Sequence, residues 1–237
     1  MVIVNTQTVN IMNSKSIFFE TLWDSLNSQL DILVLRNYEE FPNNLGNDID
    51  FLVMEESFPI ILYICNKISL DSDYKISMLL RNNHCLISIY FENKTDSSDL
   101  LKVDFFSQLS KGWMSYANTE YILNNKTKYN KYNIPMLTHE AYLLLMKELL
   151  MYGRVRSRYI ERFSLKYQNI DFNEIYKLSK GLVKRNSILK IEKYYHHMDS
   201  LIFRPLPTIK NIFQPFLALQ WLYHSIIYKL KIKDNNG

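Results

Sequence analysis

Asp48 and Asp50 open an apolar run, Asn47-Asp48-Ile49-Asp50-Phe51-Leu52-Val53, of the kind that forms a β-strand. Alternate residues of a strand share a face, so the two carboxylates point the same way. Acids that close repel each other unless a positive charge lies between them, and a divalent cation is the usual one. A third acid, Asp104, sits in a second strand-like run, Leu101-Lys102-Val103-Asp104-Phe105-Phe106. Brought together, the three make a triad that can hold metal. The plainer alternative gives Asp48 a capping or loop-ordering role and leaves Asp50 on the surface.

The elements that must position these acids can be read from periodicity and punctuation. Ile17, Phe18, Leu22, Leu26 and Leu30 recur at helical spacing, which predicts a helix capped by Ser14 and running to about Gln29. A short buried strand follows at residues 32–35. Residues 37–47 carry Pro42, Gly46 and four asparagines and read as an irregular loop delivering the chain to the Asp48 strand. Phe58-Pro59 suits a helix start, with the helix running to about Ile68. Two strands are expected at 74–80 and 84–91, joined by a turn at Arg81-Asn82-Asn83, before the Asp104 strand. The order is helix, strand, strand, helix, strand, strand, strand, a mixed α+β sheet with helices on one side. Residues 112–133 give few signals beyond one or two short strands. From Thr138-His139-Glu140-Ala141 onward the spacing is helical, broken near Gly153, Gly181 and Pro205-Leu206-Pro207. This predicts two domains, an α/β unit over residues 1–135 and a helical unit over 136–237.

Composition narrows the class. With 237 residues and 47% hydrophobic content, the chain can bury a sizeable core. No apolar run reaches the roughly 18 residues of a membrane span, and the N-terminus lacks the pattern of a secretory signal. Cys65 and Cys85 lie inside apolar runs without metal-ligand spacing, which fits buried thiols and a cytoplasmic location. The net charge of +4 is unevenly spread. From Tyr142 onward there are 17 basic and 7 acidic side chains, while the preceding part has 11 and 17. An acidic half able to hold metal precedes a basic half able to hold phosphate, although lysine-rich helical surfaces give the same count.

The Asp-Ile-Asp strand and the later Val-Asp-Phe strand resemble the nucleotidyltransferase superfamily of the DNA polymerase beta fold. Leu35-Arg36-Asn37-Tyr38-Glu39 followed by Gly46-Asn47-Asp48-Ile49-Asp50 is similar to the nucleotidyltransferase-like proteins of bacterial surface-polysaccharide gene clusters. Phe203-Arg204-Pro205 resembles the element after which some of these continue into a kinase-like domain, but no phosphate-binding loop follows here. The resemblance covers about residues 14–163. It implies a nucleotidyltransferase-like mixed sheet with flanking helices and a helical C-terminal domain. The implied activity is metal-dependent transfer of a nucleoside monophosphate from a triphosphate to a small acceptor in surface-polysaccharide synthesis. The implied cofactor is a pair of Mg2+ ions, with Mn2+ able to replace them, roughly 3.5–4 Å apart. Asp48 and Asp50 would bridge both ions; Asp104 would bind the one that activates the acceptor hydroxyl. The sequence departs from the superfamily where Arg36-Asn37 replaces the usual Gly-Ser or Gly-Gly pair. That departure leaves open a binding or scaffold protein without turnover, and the basic second half leaves open a toxin-type enzyme acting on protein or RNA.

The remaining candidates follow from this chemistry. Arg36, with Asn37 beside it, can clamp a phosphate through paired hydrogen bonds, or can pair with Glu39 or Glu40 instead. Lys147 in an otherwise apolar helix can reach a triphosphate or lie along the core edge. If Arg154, Arg156 and Arg158 share one helix, Arg154 and Arg158 point one way, with Tyr159 adjacent, towards ligand or solvent. His196-His197 is a poor joint metal site, and Trp113 and Trp221 read as core or interface residues. Residues 209–233 read as an amphipathic helix with a basic end, suited to burial, to a homo-oligomer contact or to an anionic membrane surface.

Overall fold

The computed structural model describes residues 13–46, 48–83, 85–111 and 114–208. The expected helix at 209–233, Trp113 and Trp221 lie outside them. Helix α1 (Ser14–Asn27) is capped by Asn13, one residue before the expected Ser14; its side chain accepts from the Ser16 amide at 2.8 Å. Strand β1 (Leu33–Val34) leads through the loop to β2 (Asp48–Leu52), and a 3-10 turn at Glu55–Ser57 opens α2 (Phe58–Asp71). Strands β3 (Tyr74–Asn83), β4 (Leu86–Asn93) and β5 (Leu100–Phe106) complete a five-stranded mixed sheet ordered β1-β2-β5-β4-β3. The turn expected at Arg81-Asn82-Asn83 is strand instead, because β3 stays paired with β4 as far as Asn83↔Leu86.

In and around residues 112–133, expected to hold one or two short strands, lie two small antiparallel pairs, β6 (Ser110–Lys111) with β7 (Met114–Ser115) and β8 (Thr127–Tyr129) with β9 (Tyr132–Ile134). Between them lies an unexpected helix, α3 (Thr119–Asn124), capped by Asn118. Helices α4 (Leu137–Tyr152), α5 (Ser157–Leu165), α6 (Phe172–Ser179) and α7 (Arg185–Tyr194) follow. Gly153 ends α4 in the left-handed region, φ 69°, where a side chain would be strained. The chain then runs extended through a bridge between Arg154 and Ile202, so Arg154, Arg156 and Arg158 do not share a helix as expected.

Strand alternation separates two cores. Ile49, Phe51, Val103 and Phe105 face α1 and α2 in one apolar cluster, with Phe19, Leu22 and Trp23. Leu33, Leu35 and Leu52 point the other way and pack with Ala141, Tyr142, Leu145 and Leu149 of α4 in a second. Cys65 and Cys85 are buried thiols, each pushed up to about 12 by burial. Among the described residues no helix is long and apolar enough to cross a membrane.

Candidate metal centre

Strands β2 and β5 run parallel, with Asp48 opposite Lys102, Asp50 opposite Asp104 and Leu52 opposite Phe106. Since Ile49 and Val103 face the first core, Asp48, Asp50, Lys102 and Asp104 all project from the opposite face. The three carboxylates each offer an oxygen within 4.8 Å of the others. Asp50 and Asp104 are each only 5% exposed, and Asp48 is half-buried. Two residues further along the same face, buried Leu52 and half-buried Phe106 join the second core, and Phe106 also lines the cavity described below.

Arg36 reaches the same place from β1. The Leu35 amide donates to the Asp50 carbonyl at 2.8 Å, extending the β1–β2 ladder and releasing Arg36 beside the acids. Asn37 then turns the chain with φ 59°, a conformation asparagine tolerates better than most residues. Tyr38 and Phe41 pin the loop into the first core. Arg36 Nε donates to Asp50 Oδ2, and its Nη2 lies 3.7 Å from Asp48 Oδ2. The alternative pairing of Arg36 with Glu39 or Glu40 does not occur. Glu39 is held by Lys166 at 2.7 Å and Arg162 at 3.3 Å, and Glu40 accepts from Asn44. Lys102 Nζ donates to Asp104 Oδ2 at 2.6 Å.

These contacts leave Oδ1 of Asp50 and Oδ1 of Asp104 buried without a hydrogen-bond partner. Buried acceptors are nearly always satisfied, so two orphaned oxygens on adjacent carboxylates fit a cation ligand set of hard oxygen donors. Burial holds the Asp50 carboxyl above the ordinary carboxylate range; Arg36 opposes this, while Asp48 and Asp104 reinforce it. Arg36 is raised as well, which for a base favours the charged form. Burial works against its charge, but Asp50 and then Asp48 outweigh that and raise it.

A cavity of about 300 Å³ opens beside Asp50. Its walls include Arg36, Asn37, Lys147 and Tyr159, so four of the five expected nucleotide contacts meet there with one triad acid. Lys147 is half-buried, and its ammonium is pulled below the ordinary lysine range by burial and by Arg36. Tyr116, also in the wall, is pushed up to about 12 by burial. Arg158 is not in the wall; it is exposed, its guanidinium 4.8 Å from the Tyr159 ring centroid. Arg156 forms a two-pronged pair with buried Glu148 at 2.7 and 2.6 Å. His196 and His197 are both exposed.

Sequence reasoning missed the far wall. Glu140 is buried and accepts from Tyr38 Oη and Tyr167 Oη, each at 2.7 Å, from Arg162 at 2.9 Å and from Lys166 at 3.0 Å. This network ties the Arg36 loop to α4 and α5. It also missed Lys102, although the alternation that placed Asp48 with Asp50 puts Lys102 beside Asp104.

No family model matches the chain, and no curated protein does. Solved structures similar to it include a candidate nucleotidyltransferase from H. pylori, with 8% identity, a TM-score of 0.43, and coverage of 79% of this chain and 84% of that one. Another is JHP933 from Helicobacter pylori, with 10% identity, a TM-score of 0.41, and coverage of 95% and 98%. Both are similar to this chain in outline only.

Proposed function

We propose that this protein is a metal-dependent nucleotidyltransferase that moves a nucleoside monophosphate from a triphosphate to a small acceptor. The observation that carries the reading is the convergence of Asp48, Asp50 and Asp104 on one sheet face, with two buried oxygens unpartnered. In this reading the sheet unit, residues 1–135, holds the metal and the helical unit, 136–237, closes the cavity. The acceptor class, a sugar phosphate or similar precursor of surface polysaccharide, rests on the sequence resemblance alone.

Asp48 and Asp50 would be shared ligands and Asp104 the third. Divalent ions held there supply charge stabilisation at the phosphoryl oxygens and acidify the acceptor hydroxyl. Arg36, Asn37 and Lys147 in the cavity wall hold the phosphates, and Tyr159, with the Arg158 guanidinium 4.8 Å from its ring centroid, borders the nucleotide. The acceptor oxygen attacks the α-phosphorus as the bond to pyrophosphate breaks, and Asp104 takes the hydroxyl proton.

A thermal-shift screen of Mg2+ and Mn2+ with the four common triphosphates tests this. A ligand at a hundred times its Kd adds about 2.7 kcal/mol, or roughly 5–10 °C in Tm for a chain of this size. Asp48→Asn should abolish the shift. No shift with any pair refutes the reading and leaves a binding or scaffold protein, which is favoured by one observation: Arg36 and Lys102 already neutralise Asp50 and Asp104.

A further inference from the structure

The two carboxylates with orphaned Oδ1 atoms are each occupied at Oδ2 by a cation of the chain itself. Arg36 holds Asp50, and Lys102 holds Asp104 at 2.6 Å. The acids are nearly buried, but the side chains of Arg36 and Lys102 are each about a third exposed, 34% and 30%. Each cation therefore has a dry anion on one side and water on the other. They flank the triad from different directions, Arg36 from the end of β1 and Lys102 from β5, level with Asp48. Asp48 is not closely held: its nearest cation among the described residues is Arg36, 3.7 Å away.

A divalent ion on the free oxygens would stand beside both cations. Like charges repel in inverse proportion to distance, and burial on the acid side keeps solvent from damping that repulsion. Metal entry thus opposes the existing pairs, and the released guanidinium and ammonium turn to their open side, where a phosphate oxygen holds them more strongly than water does. Arginine's fork and lysine's flexible stem both suit phosphate oxygens.

We propose that Arg36 and Lys102 are exchangeable counter-ions. Each holds a triad carboxylate until a divalent ion takes it, then passes to a phosphate of the same incoming ligand. The centre therefore takes a bare divalent ion weakly and a divalent ion carried on a polyphosphate strongly. This rests on the metal-centre reading above and adds to it a phosphate-positioning role for Lys102 and the exchange of both cations between carboxylate and phosphate.

The test is calorimetric titration of the full chain with Mn2+ alone and with the preformed Mn2+–tripolyphosphate complex. The wild-type chain should prefer the complex by a factor within roughly 5–150, the usual range of coupling between sites. Lys102→Gln keeps a hydrogen bond to Asp104 without the charge. It should bind bare Mn2+ about tenfold tighter and the complex about tenfold weaker, within the same coupling range. Arg36→Gln should change both in the same directions. Lys102→Arg, which keeps the charge, should stay close to wild type in both titrations and serves if the glutamine variant folds poorly. Unchanged or weakened bare-Mn2+ binding in Lys102→Gln, or tightened bare-Mn2+ binding in Lys102→Arg, overturns the exchange. Asp48→Asn separates the two claims. If it abolishes binding of the complex while Lys102→Gln fails to tighten bare Mn2+, the metal centre stands and the exchange falls. If neither ligand binds the wild-type chain, both fall.

Discussion

Replacing Asp104 with asparagine should make the metal-free protein more stable and end its response to divalent ions. Oxygens of the three acids lie within 4.8 Å of one another, and two unit charges that far apart repel by roughly 3 kcal/mol at an effective dielectric of 20. An orphaned buried acceptor adds roughly 1–3 kcal/mol of penalty, and Asp50 and Asp104 each carry one. A carboxamide has the same shape, carries no charge and can donate to Asp50 Oδ1. The opposing loss is the pair with Lys102. That ammonium is about a third exposed, so water replaces the carboxylate and the loss is about 1 kcal/mol or less. The net gain is about 2 kcal/mol, since part of the repulsion is already offset by Arg36, and Tm in EDTA should rise roughly 4–8 °C. Differential scanning calorimetry with EDTA and then Mn2+ reads both effects. A lower Tm in EDTA, or an intact Mn2+ response, refutes the reasoning. The pH dependence offers a further check with a definite sign. An acid raised in the folded state, as Asp50 is by burial, takes up its proton there before it does in the unfolded chain. The native state therefore gains relative stability as pH falls through that range. Asp104→Asn removes one of the charges raising Asp50 and should shrink that gain.

Glu140→Gln should lower stability by about 2–4 kcal/mol, because a carboxamide cannot satisfy two phenols and two cations as the buried carboxylate does. Urea melts give the value, and a change under about 0.5 kcal/mol contradicts it. His139 is fully buried, and neither ring nitrogen has a hydrogen bond. Burial lowers its pKa below the ordinary 6.5, and Glu174, 3.9 Å away, does not compensate. The unfolded chain then binds this proton more readily. Stability should fall as pH drops below about 6.5, by up to about 1.4 kcal/mol per unit, and His139→Phe should flatten the slope in urea melts at pH 7.5, 6.5 and 5.5. Lys147→Met should weaken triphosphate binding about tenfold without weakening bare Mn2+, as titration of each will read.

Strand periodicity made the acids legible because alternation is local: knowing that Ile49 and Val103 are apolar is enough to send Asp50 and Asp104 to the other face. The register that sets Asp50 opposite Asp104 is not local. It follows from the parallel β2–β5 pairing across the intervening α2, β3 and β4, and no residue near either acid encodes it. The Glu140 network is harder still, with partners 22, 26, 27 and 102 residues away. Helix α3 was readable in principle. Asn118 caps it through the Tyr121 amide and Glu120 sits in its first turn, but six residues give too little periodicity to outweigh the polar surroundings. The arginine run misled because Gly153 ends α4 and the bridge from Arg154 to Ile202 holds the chain extended, so α5 begins only at Ser157.

Arg36-Asn37 stands where the nucleotidyltransferases that the sequence resembles carry a Gly-Ser or Gly-Gly pair, and the geometry gives that difference a physical meaning. Backbone amides at a helix start are fixed donors, available whether or not a ligand is present. A guanidinium is movable, and here its Nε is engaged by Asp50 while its Nη2 faces Asp48. A phosphate must therefore compete with two carboxylates for Arg36, and it can win only when another positive charge satisfies those acids. Asp50 and Asp104 each have one oxygen held by the chain's own cations and one oxygen bare. A ligand that brings positive charge for the bare oxygens and negative charge for the displaced cations meets both needs together, whereas either charge alone meets one. On the proposed reading, the selectivity of the centre would reside in Arg36 and Lys102 as much as in the three acids.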